Sequence, residues 1–396
     1  MADIEAMDGV AAGSIEAVNG VAKASIQAVN GCTIPASGAS LWCTVGADGA
    51  VATAAHSNLN SWTGYVSSNM GTKDYHYIAY GKDGSGNPLW VIVNENGNRE
   101  IRTSSDPTNT SGWTDVNVAA GKLFSVAWGN NVWMAGGNNG QLWRSTDGSS
   151  WSSVNMSGVT GWYTTGVDIK HVVSDGSGTW LCDNHDQIFK STDNGQTWAK
   201  VYDTADAPLS DANLLVRGIA YTTHSGTSRW VALVRKSGTT RIIYASASDT
   251  SSWSLSTLGG VAPLDGSGSL QWSSQSAIIP ASARYMAAGG ATVIVIAGDN
   301  FSRSTDGGQD WTAYTADDAD GDSVEDDLPR TDARGIATDG NGTWIVVHDA
   351  GRVVVSTNDG ATETWTEQTG GQLTFPSSGS NVENLDAIAA DVYLPV

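Results

Sequence analysis

Asp318, Asp320 and Asp322 alternate within TADDADGDSVEDDLPR, residues 315–330, with Gly321 between the last two and Asp326 further along. Alternating aspartates around a glycine let a looped backbone turn several hard oxygens onto one Ca2+. The glycine is not in the EF-hand position, so the segment is no EF-hand. The same string reads equally as a solvated acidic loop, and both readings stay open. Calcium is the one cofactor these residue types suggest. The histidines His56, His76, His171, His185, His224 and His348 stand singly, with no HxH or HExxH spacing, and none reads as a ligand pair or a placed base. No Gly-x-Ser-x-Gly elbow or phosphate-binding glycine loop occurs. The Asp-Gly strings at Asp83, Asp175, Asp265 and Asp339 read as hairpin turns. Cys32, Cys43 and Cys182 are odd in number and lack CxxC spacing, so they read as small apolar residues.

The background to these residues is acidic and poor in helix formers. Across 396 residues, 20 Lys and Arg face 41 Asp and Glu, a net charge of −21. Such a surface repels phosphate backbones and anionic lipids, which excludes nucleic-acid binding and disfavours membranes. No apolar run approaches the ~20 residues of a membrane span. The acidic start MADIEAMDG has no basic n-region, so no signal peptide is expected and synthesis is placed in the cytoplasm. Charged residues make up 15% of the chain, too few for many helices laced with i,i+4 ion pairs. Tryptophan outnumbers phenylalanine 17 to 4, so one place in the fold asks for Trp repeatedly.

Two repeat systems organise the chain. The first is IEAMDGVAAGS, IEAVNGVAKAS, IQAVNGCT over residues 4–33, with Ile4, Ile15 and Ile26 at a period of 11. A period of 11 suits a right-handed helical supercoil. The Asp-Gly or Asn-Gly in each copy suits a tight hairpin turn better. Short strands with tight turns are therefore expected, too few to bury a core of their own. An arm of this kind needs partners, either other chains or further copies of itself.

The second system runs from about residue 40 onward. WLCDNHDQIFKSTDNGQTW (180–198), WMAGGNNGQLWRSTDGSSW (133–151) and WIVVHDAGRVVVSTNDGATETW (344–365) each read as strand, turn, strand, turn, Trp. A further strand precedes each first Trp. One unit is thus four short strands, A to D, joined by Gly-rich turns. A Trp opens strand D at Trp62, Trp113, Trp151, Trp198, Trp253, Trp311 and Trp365, seven times. Strand B carries Trp42, Trp90, Trp133, Trp180, Trp230 and Trp344, with Val293 in the remaining unit. Four strands per ~40–50 residues is the spacing of propeller blades. The first unit lacks a strand A, and NLDAIAADVYLPV (384–396) supplies one with no B, C or D after it. The expectation is an all-β fold: a seven-bladed β-propeller of four-stranded blades, residues 37–396, its ring closed by the C-terminal strand. A short β-repeat arm, residues 1–36, precedes it.

STDNGQTW (191–198) carries the pattern Ser-x-Asp-x-Gly-x-Thr-Trp, STDGGQDW (304–311) departs from it at Asp310, and STDGSSW (145–151) is one residue short. This resembles the BNR/Asp-box family of β-propellers. The resemblance implies that Asp147, Asp193 and Asp306 are turn residues and that Trp151, Trp198 and Trp311 cover their hairpins, all away from the central channel. Sialidases belong among such propellers, but their Arg-Ile-Pro motif is missing and residues 40–66 contain no arginine. No catalytic residue is assigned and the chain reads as a non-enzyme. The arm resembles the I-x-x-V-N-G-V runs at the start of tailed-phage virion proteins. That resemblance implies a structural, receptor-binding virion protein of the tail fibre or tail tip, with capsid decoration also compatible. Residues 1–36 would bind other virion proteins in a homo-oligomer, and the propeller would meet a host-surface glycan or protein. Two other readings stay open: a non-viral bacterial protein-interaction or carbohydrate-binding propeller, such as an adhesin or assembly factor, and a glycan hydrolase, which would need a pair of carboxylates across a cleft.

Overall fold

A small sheet of short strands has two faces to cover and cannot bury either alone. In the computed structural model seven such sheets cover one another in a ring. It describes residues 40–391 except 72, 95–99, 119–120, 237–238, 259–285, 298–299, 316–332, 362–363, 368–372, 374 and 376–384, and twelve strand residues of the arm. Blade 1 pairs Leu385–Ala390 with Leu41–Gly46, then Ala50–Ala55 and Thr63–Val66. Blade 2 runs Tyr75–Lys82, Pro88–Asn94, Glu100–Ser104, Thr114–Asn117, and blade 3 runs Leu123–Gly129, Val132–Gly137, Leu142–Ser145, Ser152–Ser153. Blade 4 is Val172–Ser174, Trp180–Asn184, Gln187–Ser191, Ala199–Asp203, and blade 5 is Leu215–His224, Thr227–Lys236, Thr239–Ser246, Trp253–Leu255. Blade 6 is Met286–Gly289, Thr292–Ala297, Asn300–Ser304, Asp310–Thr315, and blade 7 is Ala333–Thr338, Trp344–His348, Val353–Ser356, Trp365–Glu367. The A strands touch in cyclic order, and the C-terminal strand lies between blades 7 and 2. The ring closes as the repeat count requires.

Both tryptophan columns point the same way around the ring. Trp180 and Trp198 of blade 4 pack with Val132 and Met134 of blade 3. Trp344 and Trp365 of blade 7 pack with Val293 and Ile294 of blade 6, and Trp42 of blade 1 packs with Ile345 and Val347 of blade 7. Each blade therefore seats its indoles against the blade before it. Trp42, Trp133, Trp180, Trp230 and Trp344 are fully buried. Truncating one to Ala costs about 3–5 kcal/mol, so the repeated Trp is what the blade-to-blade joints require.

Two features go beyond the repeat pattern. Blade 6 gains a fifth strand, because Thr257–Leu258 runs parallel to the start of Asp310–Thr315 with Thr257 N–H donating to the Gln309 carbonyl at 2.8 Å. Five A strands also shift register near their starts, skipping Asp386, His76, Phe124, Arg217 and Arg334. A bulge re-aims the skipped side chain, and here it places mostly charged groups at one end of the A strands. In the arm, Ala6–Met7 pairs with Val10–Ala11, Ala17–Val18 with Val21–Ala22, and Ala28–Val29 with Cys32–Thr33. One two-residue hairpin thus forms in each copy of the 11-residue repeat.

Candidate functional site

The Ser-x-Asp turns join strands C and D. In blade 4 the Ser191 hydroxyl donates to Asp193 Oδ1 at 2.8 Å and accepts the Gly195 N–H at 2.9 Å. Asp193 Oδ1 also accepts the N–H groups of Gln196 and Thr197 at 3.0 and 2.9 Å. Trp198 Nε1 closes the turn on the Gly195 carbonyl at 3.1 Å. Asp147 with Ser149, Ser150 and Trp151 repeats the arrangement, as does Asp306 with Gln309, Asp310 and Trp311. Gly195 has φ +76°, and a Cβ there would meet Met134 Sδ of the preceding blade at 2.7 Å. Glycine is required twice over, for the backbone and for the joint. Burial pushes the Asp147 carboxyl up, but the N–H groups of Ser150 and Ser149 and the Ser145 hydroxyl outweigh it and hold it at about 2. Asp193 is lowered in the same way, burial being overcome by Thr197, Ser191 and Gln196.

The cation before each such turn clasps the next blade, a role its sequence position does not announce. Arg144 Nε donates to the Asn194 carbonyl at 2.8 Å, Lys190 Nζ to the Ala247 carbonyl at 3.3 Å, and Arg303 Nε to the Asp359 carbonyl at 2.9 Å. Arg229, from strand B of blade 5, reaches the Asp306 carbonyl of blade 6 at 3.3 Å. These turns hold the ring together.

All seven A strands line a central cavity of about 320 Å3. Six carry alanine at one register position, Ala79, Ala127, Ala220, Ala287, Ala337 and Ala389, with Val173 in blade 4. One step further along the strands, Tyr80, Trp128 and Tyr221 mark one mouth, each tucked against the B-strand Trp of its own blade. At the bulge end the polar groups join across the ring seam. Asp386 of blade 1 lies 3.2 Å from His76 Nδ1 of blade 2 and 3.3 Å from Arg334 Nη1 of blade 7, and Arg334 also donates to Asp349. At the other end of the same seam, His56 stacks on Trp42 with Asp339 and Asp391 within 4 Å of its two nitrogens. Burial raises the Asp391 carboxyl, with Leu41 N–H and His56 opposing it. Asp183 accepts the N–H groups of Lys170 and His171 at 3.0 and 2.6 Å. Asp386 and Asp183 are thus engaged with Arg334, histidines and backbone N–H groups. The cavity offers small walls, aromatic edges and Lys170, an arrangement suited to binding.

Asp83, Asp175 and Asp339 sit in A–B turns, where each Oδ1 accepts the N–H groups two and four residues on. Cys43 and Cys182 are buried and their thiols are raised by that burial. Asp318, Asp320, Asp322 and Asp326 lie outside the described residues, as does Asp265. Among the described residues no group of three His, Cys, Asp or Glu is placed to hold a metal. No helix among them is long and apolar enough to cross a membrane.

The sequence profile described as the DUF6242 beta propeller domain matches residues 61–321. No curated protein matches the chain. YCF48 from Cyanidioschyzon merolae is similar in structure at a TM-score of 0.50 and 12% identity, covering 80% of this chain and 94% of that one. YCF48 bound to D1 peptide gives 0.49 and 12%, covering 80% and 92%. BamB from Moraxella catarrhalis gives 0.44 and 15%, covering 88% and 89%. At 12% identity the first of these likenesses is one of fold alone.

Proposed function

The chain belongs to the DUF6242 β-propeller family, and on that premise we propose that it is a structural, receptor-binding protein of a tailed-phage virion. The arm anchors it to the particle and the ring faces a host-surface glycan or protein. The observation that carries this reading is the arm: three hairpins at a spacing of 11 residues, the second of which, IEAVNGV, resembles the I-x-x-V-N-G-V runs of virion proteins. Equal units suit equal partners, so symmetric copies of the chain or a virion lattice provide what the short strands lack. The Ser-x-Asp turns, which resemble the BNR/Asp-box, act as joints of the ring and not as reactive groups. Their carboxylates accept turn N–H groups, and the acidic residues at the seam hold Arg334 and His76. This supports binding in preference to hydrolysis.

The test compares the full chain with a chain starting at residue 36 in a particle-assembly assay. The shorter chain is expected to be a soluble monomer that no longer cosediments with particles. Incorporation of the shorter chain at the level of the full one overturns the reading.

A further inference from the structure

We propose that blade 4 carries a binding site for a neutral carbohydrate, built from Tyr163, His185, Asp186, Gln187, Lys200 and Asp203. The proposal rests on the reading of the ring as the receptor-facing part and names the ligand class and the place.

Residues 154–171 cross from blade 3 to blade 4 and are locked down on both sides. The fully buried Asn184 side chain accepts the Tyr163 N–H and donates to the Tyr163 carbonyl, both at 3.1 Å. Trp162 Nε1 donates to the Gly140 carbonyl at 3.1 Å, and its ring meets Phe189 edge-on. Gly140 N–H donates to the Val167 carbonyl at 2.8 Å. Despite this clamping Tyr163 is 41% exposed, one of two large hydrophobics left so open among the described residues. His185 stands edge-on beside it, also half exposed, in a left-handed turn at φ +72°. A rigid segment that presents an aromatic ring to water offers contact area at little ordering cost.

The polar groups beside the ring are incompletely used. Gln187 is only 4% exposed and its Nε2 donates to Asp203 Oδ2 at 3.1 Å, yet its Oε1 has no hydrogen-bond partner among the described residues. Asp186 Oδ1 is buried and likewise without one, with His185 Nδ1 at 3.5 Å. Gly161 lies against the first of these, for a Cβ there would come 3.0 Å from Gln187 Oε1. Lys200 Nζ sits 3.1 Å from Asp203 Oδ2. His185 joins ring and carboxylate into one patch, edge-on to Tyr163 and with Nδ1 3.5 Å from Asp186 Oδ1, and Asp186, then burial, then Asp203 raise the Tyr163 hydroxyl.

Buried acceptors without donors in a native protein call for a partner. The acceptors here outnumber the donors, with one cation already engaged by Asp203. The fitting ligand brings several O–H donors, no negative charge and a flat apolar face. A neutral sugar has all three: hydroxyls for the part-exposed carboxylates of Asp186 and Asp203, and a C–H face for Tyr163. The net charge of −21 turns anionic polysaccharides away.

The test is titration calorimetry of the full chain against maltotriose, cellotriose and chitotriose, with hyaluronate tetrasaccharide and trilysine as charged probes. Binding of a neutral trisaccharide is expected. Tyr163→Ala should weaken it at least tenfold with the melting temperature unchanged, Tyr163→Phe should keep it within threefold, and Asp203→Asn should weaken it. Equal affinity of Tyr163→Ala overturns the site. So does failure of all three neutral sugars, or binding of trilysine or hyaluronate in their place. If the full chain still decorates host cells while the neutral sugars fail, the site falls and the receptor reading stands. If the sugars bind and the chain never joins a particle, the virion reading falls and the site stands.

Discussion

The C–D turns of blades 4 and 7 occupy the same place and divide the work in opposite ways. Blade 4 reads Ser191-Thr192-Asp193-Asn194-Gly195, and blade 7 reads Ser356-Thr357-Asn358-Asp359-Gly360. The fourth residue is left-handed in both, φ +59° at Asn194 and +56° at Asp359, and both receive an arginine from the preceding blade on their carbonyl. In blade 4 the acid is the third residue, and it closes its own turn. In blade 7 the acid is the fourth, and it turns outward: Asp359 Oδ2 accepts Arg303 Nη2 at 3.0 Å and Thr292 Oγ1 at 2.5 Å, and its Oδ1 accepts Trp344 Nε1 at 3.2 Å. Exchanging Asp and Asn converts a local brace into a joint between blades. The indole follows suit. Trp198 bonds its turn, whereas Trp365, after a turn two residues longer, is buried with no partner for Nε1 among the described residues.

The comparison has meaning only in a closed ring, so the largest effect comes from opening it. Removing residues 385–396 takes strand A from blade 1, the partner of Leu41–Gly46. Urea unfolding followed by near-ultraviolet circular dichroism should show loss of the cooperative transition, not a trimmed tail. Next comes the joint. Asp359→Ala strands Arg303 and Thr292 and should cost about 2 kcal/mol. Asp193→Ala, which loses only turn bonds, should cost about 1 kcal/mol. Equal losses in parallel denaturant titrations would break the distinction.

A local brace also has a pH signature. The Asp147 carboxyl titrates near 2 when folded, against an ordinary 3.8. Its contribution is therefore complete above about pH 4 and is lost as pH falls through 2. Solvent around this partly exposed group reduces that contribution to about 1 kcal/mol. Asp147→Asn should flatten the acid limb of a stability-versus-pH curve over that window and leave the neutral limb parallel to wild type. The smallest effect is expected from Asn358→Asp, which gives blade 7 both an inner and an outer acid. A gain of no more than about 0.5 kcal/mol in urea midpoint is expected, and a loss would mean that the two carboxylates repel.

Much of this was legible along the chain because tryptophan is rare enough to mark a joint. Thirteen indoles and one valine located strands B and D, and the unpaired A-like segment near 384–396 located the closure. The Asp turns were legible because their bonds run within eight residues. The clasps were not: Arg144 and Lys190 look like ordinary solvated charges until the next blade's carbonyl is in view. Nor were the bulges, since skipping His76 or Arg334 leaves the local sequence unchanged and alters only the register against strand B. Blade 4's exposed Tyr163 was hidden for the same reason. Nothing near it in sequence reveals Asn184 and Gln187 beneath.

The closing strand also sets an order in time. Thr44 Oγ1 donates to the Ala387 carbonyl across 343 positions of sequence. At roughly 5–20 residues per second on the ribosome, blade 1 waits roughly 20–70 s for its innermost strand. Through that interval Leu41–Gly46 presents an open edge to any neighbouring nascent chain. Blade 1 is thus begun first and finished last. Dense polysomes should be where two growing chains exchange this strand, and a slowed stretch of codons before residue 385 should raise the share of interlocked dimers in fresh product.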